Sequence, residues 1–114
     1  MKFDISILIV NYNTKEYLLN CINSIFQSQY RGDLEVIVVD NNSSDNSLQL
    51  IKENENQIDI IQNDANLGFS KAINIGLKKC NGRYICILNP DTIIGYDCLE
   101  KLFNYMEKEQ DVAC

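Results

Sequence analysis

Four short apolar runs, Ile5 to Val10, Leu34 to Val39, Ile58 to Ile61 and Tyr84 to Leu88, are each stopped by a hydrogen-bonding side chain, at Asn11, Asp40, Gln62 and Asn89. The nearly continuous run Ile5 to Val10 is the pattern of a parallel strand covered on both faces, and the runs that end at Asp40 and before Asn89 likewise read as buried strands. Between them apolar residues recur at helical spacing: Leu18, Ile22, Ile25 and Phe26, then Leu48 and Ile51, then Phe69, Ile73 and Leu77, and finally Leu99, Leu102, Phe103 and Met106. Strand and helix alternating four times predict an α/β domain with a parallel sheet and right-handed crossovers. In such sheets ligands sit beyond the C-terminal strand ends, so the residues that stop the strands are candidate contacts.

The local signals place the boundaries. Asn13 with Glu16 reads as a cap for a first helix running to about Gln29, and Arg31-Gly32-Asp33 as a turn. A second helix is predicted from Ser44 to about Asn54. A third follows Leu67-Gly68 and is closed by Asn81-Gly82; Asp97 with Glu100 in register caps a fourth. Val112 to Cys114 reads as the start of a fifth strand. Strand order 3-2-1-4 opens the ligand crevice between strands one and four, whereas 2-1-3-4 opens it between one and three. The rigid, acidic Asn89-Pro90-Asp91 after strand four, set against the looser Asn63-Asp64-Ala65-Asn66 after strand three, favours 3-2-1-4. That order brings Asn11 to Asn13, Asp40 and Asp91 to one rim.

The 114 residues are read as a single domain, 1–114, with no repeat or linker. Five cysteines without C-x-x-C spacing, in a chain lacking histidine, point to reduced thiols in a cytoplasmic protein rather than to a zinc site. The first residues do not resemble a signal peptide, and no run approaches the roughly 20 apolar residues of a membrane span. A net charge of −6 with no basic stripe argues against nucleic acid as partner. An anionic ligand would need backbone amides, a local lysine or arginine, or a divalent cation.

At the rim, Asn11-Tyr12-Asn13-Thr14 lacks glycine, which excludes a dinucleotide fingerprint and a P-loop. Tyr12 either stacks on a flat ring or packs over the helix start. Asp40 either accepts hydrogen bonds from a base or ribose or serves as an Asx-turn acceptor for amides near Ser43 and Asp45. Asp45 itself reads as a helix-dipole acid. The segment Asn66-Leu67-Gly68 with Lys71, Asn74 and Gly76 has low helix propensity, about 1 kcal/mol per glycine. Close approach of another group accounts for this: tight helix-on-sheet packing at Gly76, something else at Gly68. Asp91 is either a plain turn aspartate or a hard oxygen ligand for a cation on a diphosphate.

Taken in order, SILIVNYN, VIVVDNNSSDNS, NLGFSKAINIGL and YICILNPDT resemble the nucleotide-binding half of a family 2 glycosyltransferase of the GT-A fold, in a branch with rhamnosyl- and galactosyltransferase-like enzymes. The resemblance covers essentially the whole chain and implies a Rossmann-like nucleotide-diphospho-sugar transferase fold, truncated. By that resemblance Asn11, Tyr12, Asn13, Asp40 and Asn42 hold the base and ribose of a nucleotide-sugar donor. Asn66, Gly68 and Lys71 support the same pocket. The family's D-x-D motif, which carries Mg²⁺ or Mn²⁺ on the diphosphate, falls on Asn89-Pro90-Asp91, where Asn89 replaces the first acid and Asp91 is left as metal ligand.

The implied activity is inverting transfer of a sugar from a nucleoside diphosphate such as UDP or dTDP to an acceptor hydroxyl, on a saccharide or lipid-linked acceptor in cell-envelope polysaccharide synthesis. The work would be done in the cytoplasm or at the inner face of the membrane, with peripheral association. Family members continue beyond this length, so the catalytic base is expected outside these residues and the fragment alone is expected to be inactive. Two other readings compete: a non-catalytic nucleotide-binding module, and a phosphoacceptor domain of order 2-1-3-4. The second is disfavoured because strand one ends in Asn11 and Asp64 stands alone.

Overall fold

The computed structural model describes residues 3–28, 30–54 and 58–109, with the backbone alone at 53 and 54. Four strands, β1 (Phe3–Asn11), β2 (Leu34–Asp40), β3 (Ile58–Gln62) and β4 (Gly82–Leu88), alternate with four helices, α1 (Lys15–Phe26), α2 (Ser47–Asn54), α3 (Phe69–Leu77) and α4 (Cys98–Lys108). The strands form one parallel sheet of order β3-β2-β1-β4, as the loop chemistry predicts. The register pairs Asn11 directly with Asp40, so the two polar stops lie side by side at the C-terminal edge.

Alternating side chains divide the core. Ile5, Ile7 and Ile9 with Val36 and Val38 meet Leu18, Cys21, Ile22, Ile25, Ile51 and Leu99 on one face. Leu8, Val10, Ile37 and Val39 meet Ala72 and Ile73 of α3 on the other. Helix α3 lies over β1 and β2, and Ile87 of β4 remains 45% exposed. Gly76 lets α3 approach: a Cβ there would sit 2.4 Å from Leu8 Cδ1 and 2.9 Å from Val39 Cγ2. Tight packing is thus the explanation of that glycine.

Several boundaries differ from the sequence expectation, and at Asn13 and Gly82 the reason is tertiary. Helix α1 starts at Lys15 after Thr14, and Asn13 is no cap: it is left-handed (φ 52°) and its Oδ1 accepts the Ser44 N–H at 2.8 Å. Helix α2 begins at Ser47 rather than Ser44. The inner face of α3 is Ala72, Ile73 and Gly76, with Phe69 at 55% exposure. Gly82 opens β4 instead of closing α3, because its Cβ would meet the Ser6 backbone N at 2.5 Å. Asp97 flanks α4 without a side-chain cap bond and pairs with Lys101 at 3.0 Å. The anticipated strand at Val112 to Cys114 lies outside the described residues, as does Gln29.

Below the rim, at the N-terminal edge, buried Glu35 accepts hydrogen bonds from Ser6 Oγ and the Asn81 amide, and Ser6 Oγ accepts the Gly82 N–H at 2.7 Å. This cluster ties β2 to β1 and β4 at the end away from the candidate contacts.

Candidate functional site

The strands deliver Asn11 and Asp40 to the rim with no exposed surface at all, and a buried carboxylate or carboxamide must find partners inside the protein. Asn11 Nδ2 donates to Asp40 Oδ1 (2.8 Å), Ser47 Oγ (2.9 Å) and Ser43 Oγ (3.2 Å), and Asn11 Oδ1 accepts from Thr14 Oγ1. Asp40 Oδ1 also accepts from Ser43 Oγ (2.7 Å), and Oδ2 accepts the Ser43 N–H (2.8 Å). That last bond, three residues on, makes Asp40 the local acceptor that holds the loop after β2. Ser43 Oγ in turn accepts the Asn13 N–H at 2.9 Å.

Asp45 extends the network. Its Oδ1 accepts from the Ser47 N–H (3.1 Å) and Ser47 Oγ (2.6 Å), while Oδ2 accepts the Lys15 N–H (3.0 Å). One carboxylate thereby satisfies amides at the starts of α1 and α2, where orphan N–H groups and the helix dipoles favour an anion. Burial raises its pKa, but the hydrogen bonds from Ser47 and Lys15 outweigh this and hold the carboxyl below the usual aspartate value.

Asn41, 2% exposed, joins the rim to the loop after β3. Its N–H donates to Asn11 O (2.9 Å), its Oδ1 accepts from Asn63 Nδ2 (2.9 Å) and Leu67 N (3.4 Å), and its Nδ2 donates to Gly68 O (3.2 Å). The Gly68 N–H donates to Asn66 Oδ1 at 3.0 Å. Gly68 sits at φ 83° and ψ 171°, a region open essentially to glycine alone, and nothing lies within 4 Å of where its Cβ would be. The glycine answers a backbone demand in front of open space, and no group of the described chain crowds it.

The predicted contacts therefore fall into two groups. Asn11 and Asp40 are closed scaffold, whereas Tyr12 (47% exposed), Asn13, Asn42, Asn66, Gly68, Lys71, Asn89 and Asp91 are exposed. Asn42 is left-handed, like Asn13 and Asn46. Asn89 and Asp91 belong to a turn in which Asn89 O accepts the Thr92 N–H at 3.0 Å, at the end of the strand next to β1. A polar concavity of about 320 Å³ lies on the α2 side, shares Ser43 and Ser47 with the network, and is lined by the strand stop Gln62 but by none of the residues expected to hold the donor.

Among the described residues no three Asp, Glu, His or Cys side chains gather to hold a metal. Asp91 is an exposed hard oxygen donor, which fits a cation whose other ligands arrive with a diphosphate and water. Its charge also reaches the buried Cys21 thiol, which burial, Asp91 and Cys86 together push up to about 11. No described helix is long and apolar enough to cross a membrane.

Sequence reasoning missed Asn41, Ser47 and Asn63 as parts of the rim, and of Ser43 it anticipated the amide but not the hydroxyl. The signal available was the density of short hydrogen-bonding side chains in Asn41-Asn42-Ser43-Ser44-Asp45-Asn46-Ser47, more than one turn and one cap require.

Comparison with known proteins gives this rim a family. An uncharacterized glycosyltransferase of Haemophilus influenzae is 33% identical over 112 residues, covering 96% of this chain and 34% of that protein. The Staphylococcus aureus protein TarS, residues 1–349 in complex with UDP, superposes with a TM-score of 0.86 at 24% identity, over 94% of this chain and 33% of that one. The mannosyltransferase PcManGT of Pyrobaculum calidifontis, solved with GDP-Man and Mn²⁺, gives 0.82 at 20% identity, over 93% and 33%. The chain thus spans about a third of the length of these relatives. The glycosyl transferase family 2 model matches residues 6–114, and with the order β3-β2-β1-β4 and the polar strand ends in place, the chain belongs to glycosyl transferase family 2.

Proposed function

We propose that this chain is the donor-binding part of a metal-dependent enzyme that transfers a sugar from a nucleoside-diphosphate sugar to an acceptor hydroxyl with inversion. The observation that carries the reading is the family match along residues 6–114, on a sheet whose rim presents Tyr12, Asn13, Asn42, Asn66 and Asp91 over the buried Asn11–Asp40 pair. The ligands printed for the two structural neighbours, UDP in one and GDP-Man with Mn²⁺ in the other, support the donor class.

In this reading the exposed Tyr12 ring stacks on the nucleobase and the carboxamides of Asn13, Asn42 and Asn66 hydrogen-bond base or ribose. Asn11 and Asp40 fix the loops that carry them. Lys71, beside Gly68 at the start of α3, offsets phosphate charge that a chain of net charge −6 would otherwise repel. Asp91 would hold Mg²⁺ or Mn²⁺, with Asn89 beside it contacting the donor; the ion when bound supplies Lewis-acid stabilisation of the departing diphosphate, an effect worth several kcal/mol. The base that deprotonates the acceptor is assigned to no residue here. Acceptors in cell-envelope polysaccharide synthesis, met at the cytoplasmic face of a membrane, complete the proposal.

Titration calorimetry with UDP, dTDP and GDP, each with Mn²⁺, Mg²⁺ or chelator, tests it. Metal-dependent binding of one nucleotide, lost in Asp91→Ala with the circular dichroism unchanged, is the expected result. Nucleotide affinity that is the same with chelator, or in Asp91→Ala, overturns the metal role. Absence of binding by the full-length protein overturns the donor reading.

A further inference from the structure

We infer that Asn41 is a positioning residue that sets the wall of the nucleotide pocket formed by residues 66–68, an inference that rests on the donor reading above. The argument is one of donor and acceptor count. A carboxamide has one oxygen and one NH₂, and Asn41 spends both on the same neighbouring loop. The oxygen accepts from Asn63 and Leu67, and the NH₂ donates to the Gly68 carbonyl, while the Asn41 main chain holds Asn11. The buried rim and the exposed loop are thereby joined through one side chain. Gly68, at φ 83° with open space before it, has no side chain of its own with which to fix that wall. Asn66 is anchored to the same point, since its Oδ1 accepts the Gly68 N–H.

The isosteric Asn41→Asp tests this with a readout that loss of packing cannot imitate. When ionised, the aspartate keeps the acceptor for Asn63 and Leu67 but turns a second oxygen toward the Gly68 carbonyl. Two acceptors then face each other and the loop moves. When protonated, the carboxyl donates to Gly68 O and restores the original pattern. Burial and the adjacent Asp40 disfavour its charge while the retained bonds from Asn63 and Leu67 favour it, and recovery on acidification marks the pH at which the carboxyl takes its proton. The other ionisable groups on the surrounding elements, Asp40, Asp45, Asp64, Tyr12, Lys15 and Lys71, are common to both proteins, so each measurement is referred to wild type at the same pH.

The measurements are the amide resonances of Leu67 and Gly68 and the affinity for UDP, dTDP or GDP with Mn²⁺, between pH 8 and pH 5. For Asn41→Asp we expect displaced resonances and affinity reduced on the order of tenfold at pH 8, the scale of one lost buried hydrogen bond, both returning on acidification. Asn41→Ala, which can donate and accept nothing, is expected to lose affinity without recovery. Unmoved resonances in Asn41→Asp, or moved resonances with unaltered affinity, overturn the inference. A wild-type protein that binds none of the nucleotides overturns the donor reading instead, and the resonances still report whether Asn41 sets the loop.

Discussion

Asp40→Asn is the most informative single change, because it alters two hydrogen-bonding valences and almost no volume. In the native rim Oδ1 accepts from Asn11 Nδ2 and Ser43 Oγ, and Oδ2 accepts from the Ser43 amide. An asparagine offers one oxygen to these two positions. If the oxygen replaces Oδ1, its NH₂ confronts the Ser43 N–H; if it replaces Oδ2, its NH₂ confronts the Asn11 NH₂. The Ser43 hydroxyl can rotate to accept, but neither nitrogen can. One charge-assisted bond, worth roughly 1.5–3 kcal/mol, is lost in either orientation, and relief of the buried charge offsets part of it. We expect a net loss of about 2 kcal/mol. With a urea slope of about 1.5 kcal/mol/M for a domain of this size, the midpoint falls by roughly 1 M. Equilibrium urea denaturation followed by circular dichroism measures it, and nucleotide affinity should fall with it as the loops that bear Asn13 and Asn42 loosen. A midpoint within about 0.2 M of wild type, on the same slope scale, would refute the assignment of Asp40 as the acceptor that organises the rim.

Three further outcomes follow from the packing and electrostatics. Gly76→Ala gains about 1 kcal/mol of helix propensity but forces a methyl against Leu8 and Val39 at a cost of about 1–3 kcal/mol, so thermal unfolding should show a net loss; a raised melting temperature would contradict the close approach of α3. Asp45 has a depressed folded pKa, so its contribution to stability is complete above the unfolded aspartate value of about 3.9 and disappears as pH falls through the folded one. Asp45→Asn should therefore flatten the acid limb of a stability–pH curve, and an unchanged limb would remove its role as joint acceptor for α1 and α2. Cys21, fully buried with its thiol at about 11, should resist iodoacetamide at pH 8 until the protein unfolds; mass spectrometry showing prompt labelling of the folded chain would overturn that placement.

The sheet was legible in the sequence because its signal is local and repeated. A strand buried on both faces has to be apolar along most of its length, as β1 and β2 are, and the polar stops at Asn11 and Asp40 mark their ends at the rim; β3 and β4 are covered only in part, and there the apolar run overstated burial. Helix starts were harder to read, since the same short side chains serve turns, caps and distant loops alike. Asn13 has the sequence of a cap, yet its oxygen is taken by the Ser44 amide, a partner 31 residues away that no local rule reveals. Gly82 looks like a helix terminator, and only the approach of the Ser6 backbone shows why it opens a strand. In the site, residue types were readable and exposure was not. Asp40 and Tyr12 are both plausible contacts by chemistry, but one is sealed beneath the surface and the other stands out from it.

The three left-handed asparagines, Asn13, Asn42 and Asn46, have a practical consequence for anyone wishing to dissect this rim. Glycine adopts a positive φ without steric penalty, at an entropic cost common to the three positions, whereas alanine there is strained. An asparagine-to-glycine series accordingly erases each carboxamide while sparing the curve of the main chain. The usual alanine scan would confound lost chemistry with a bent loop. At Asn13 the glycine variant removes the bond to the Ser44 amide together with any contact to a ligand, and at the exposed Asn42 it isolates whatever the side chain offers to a ligand. Chain curvature and molecular recognition, fused in most binding loops, can here be edited one at a time.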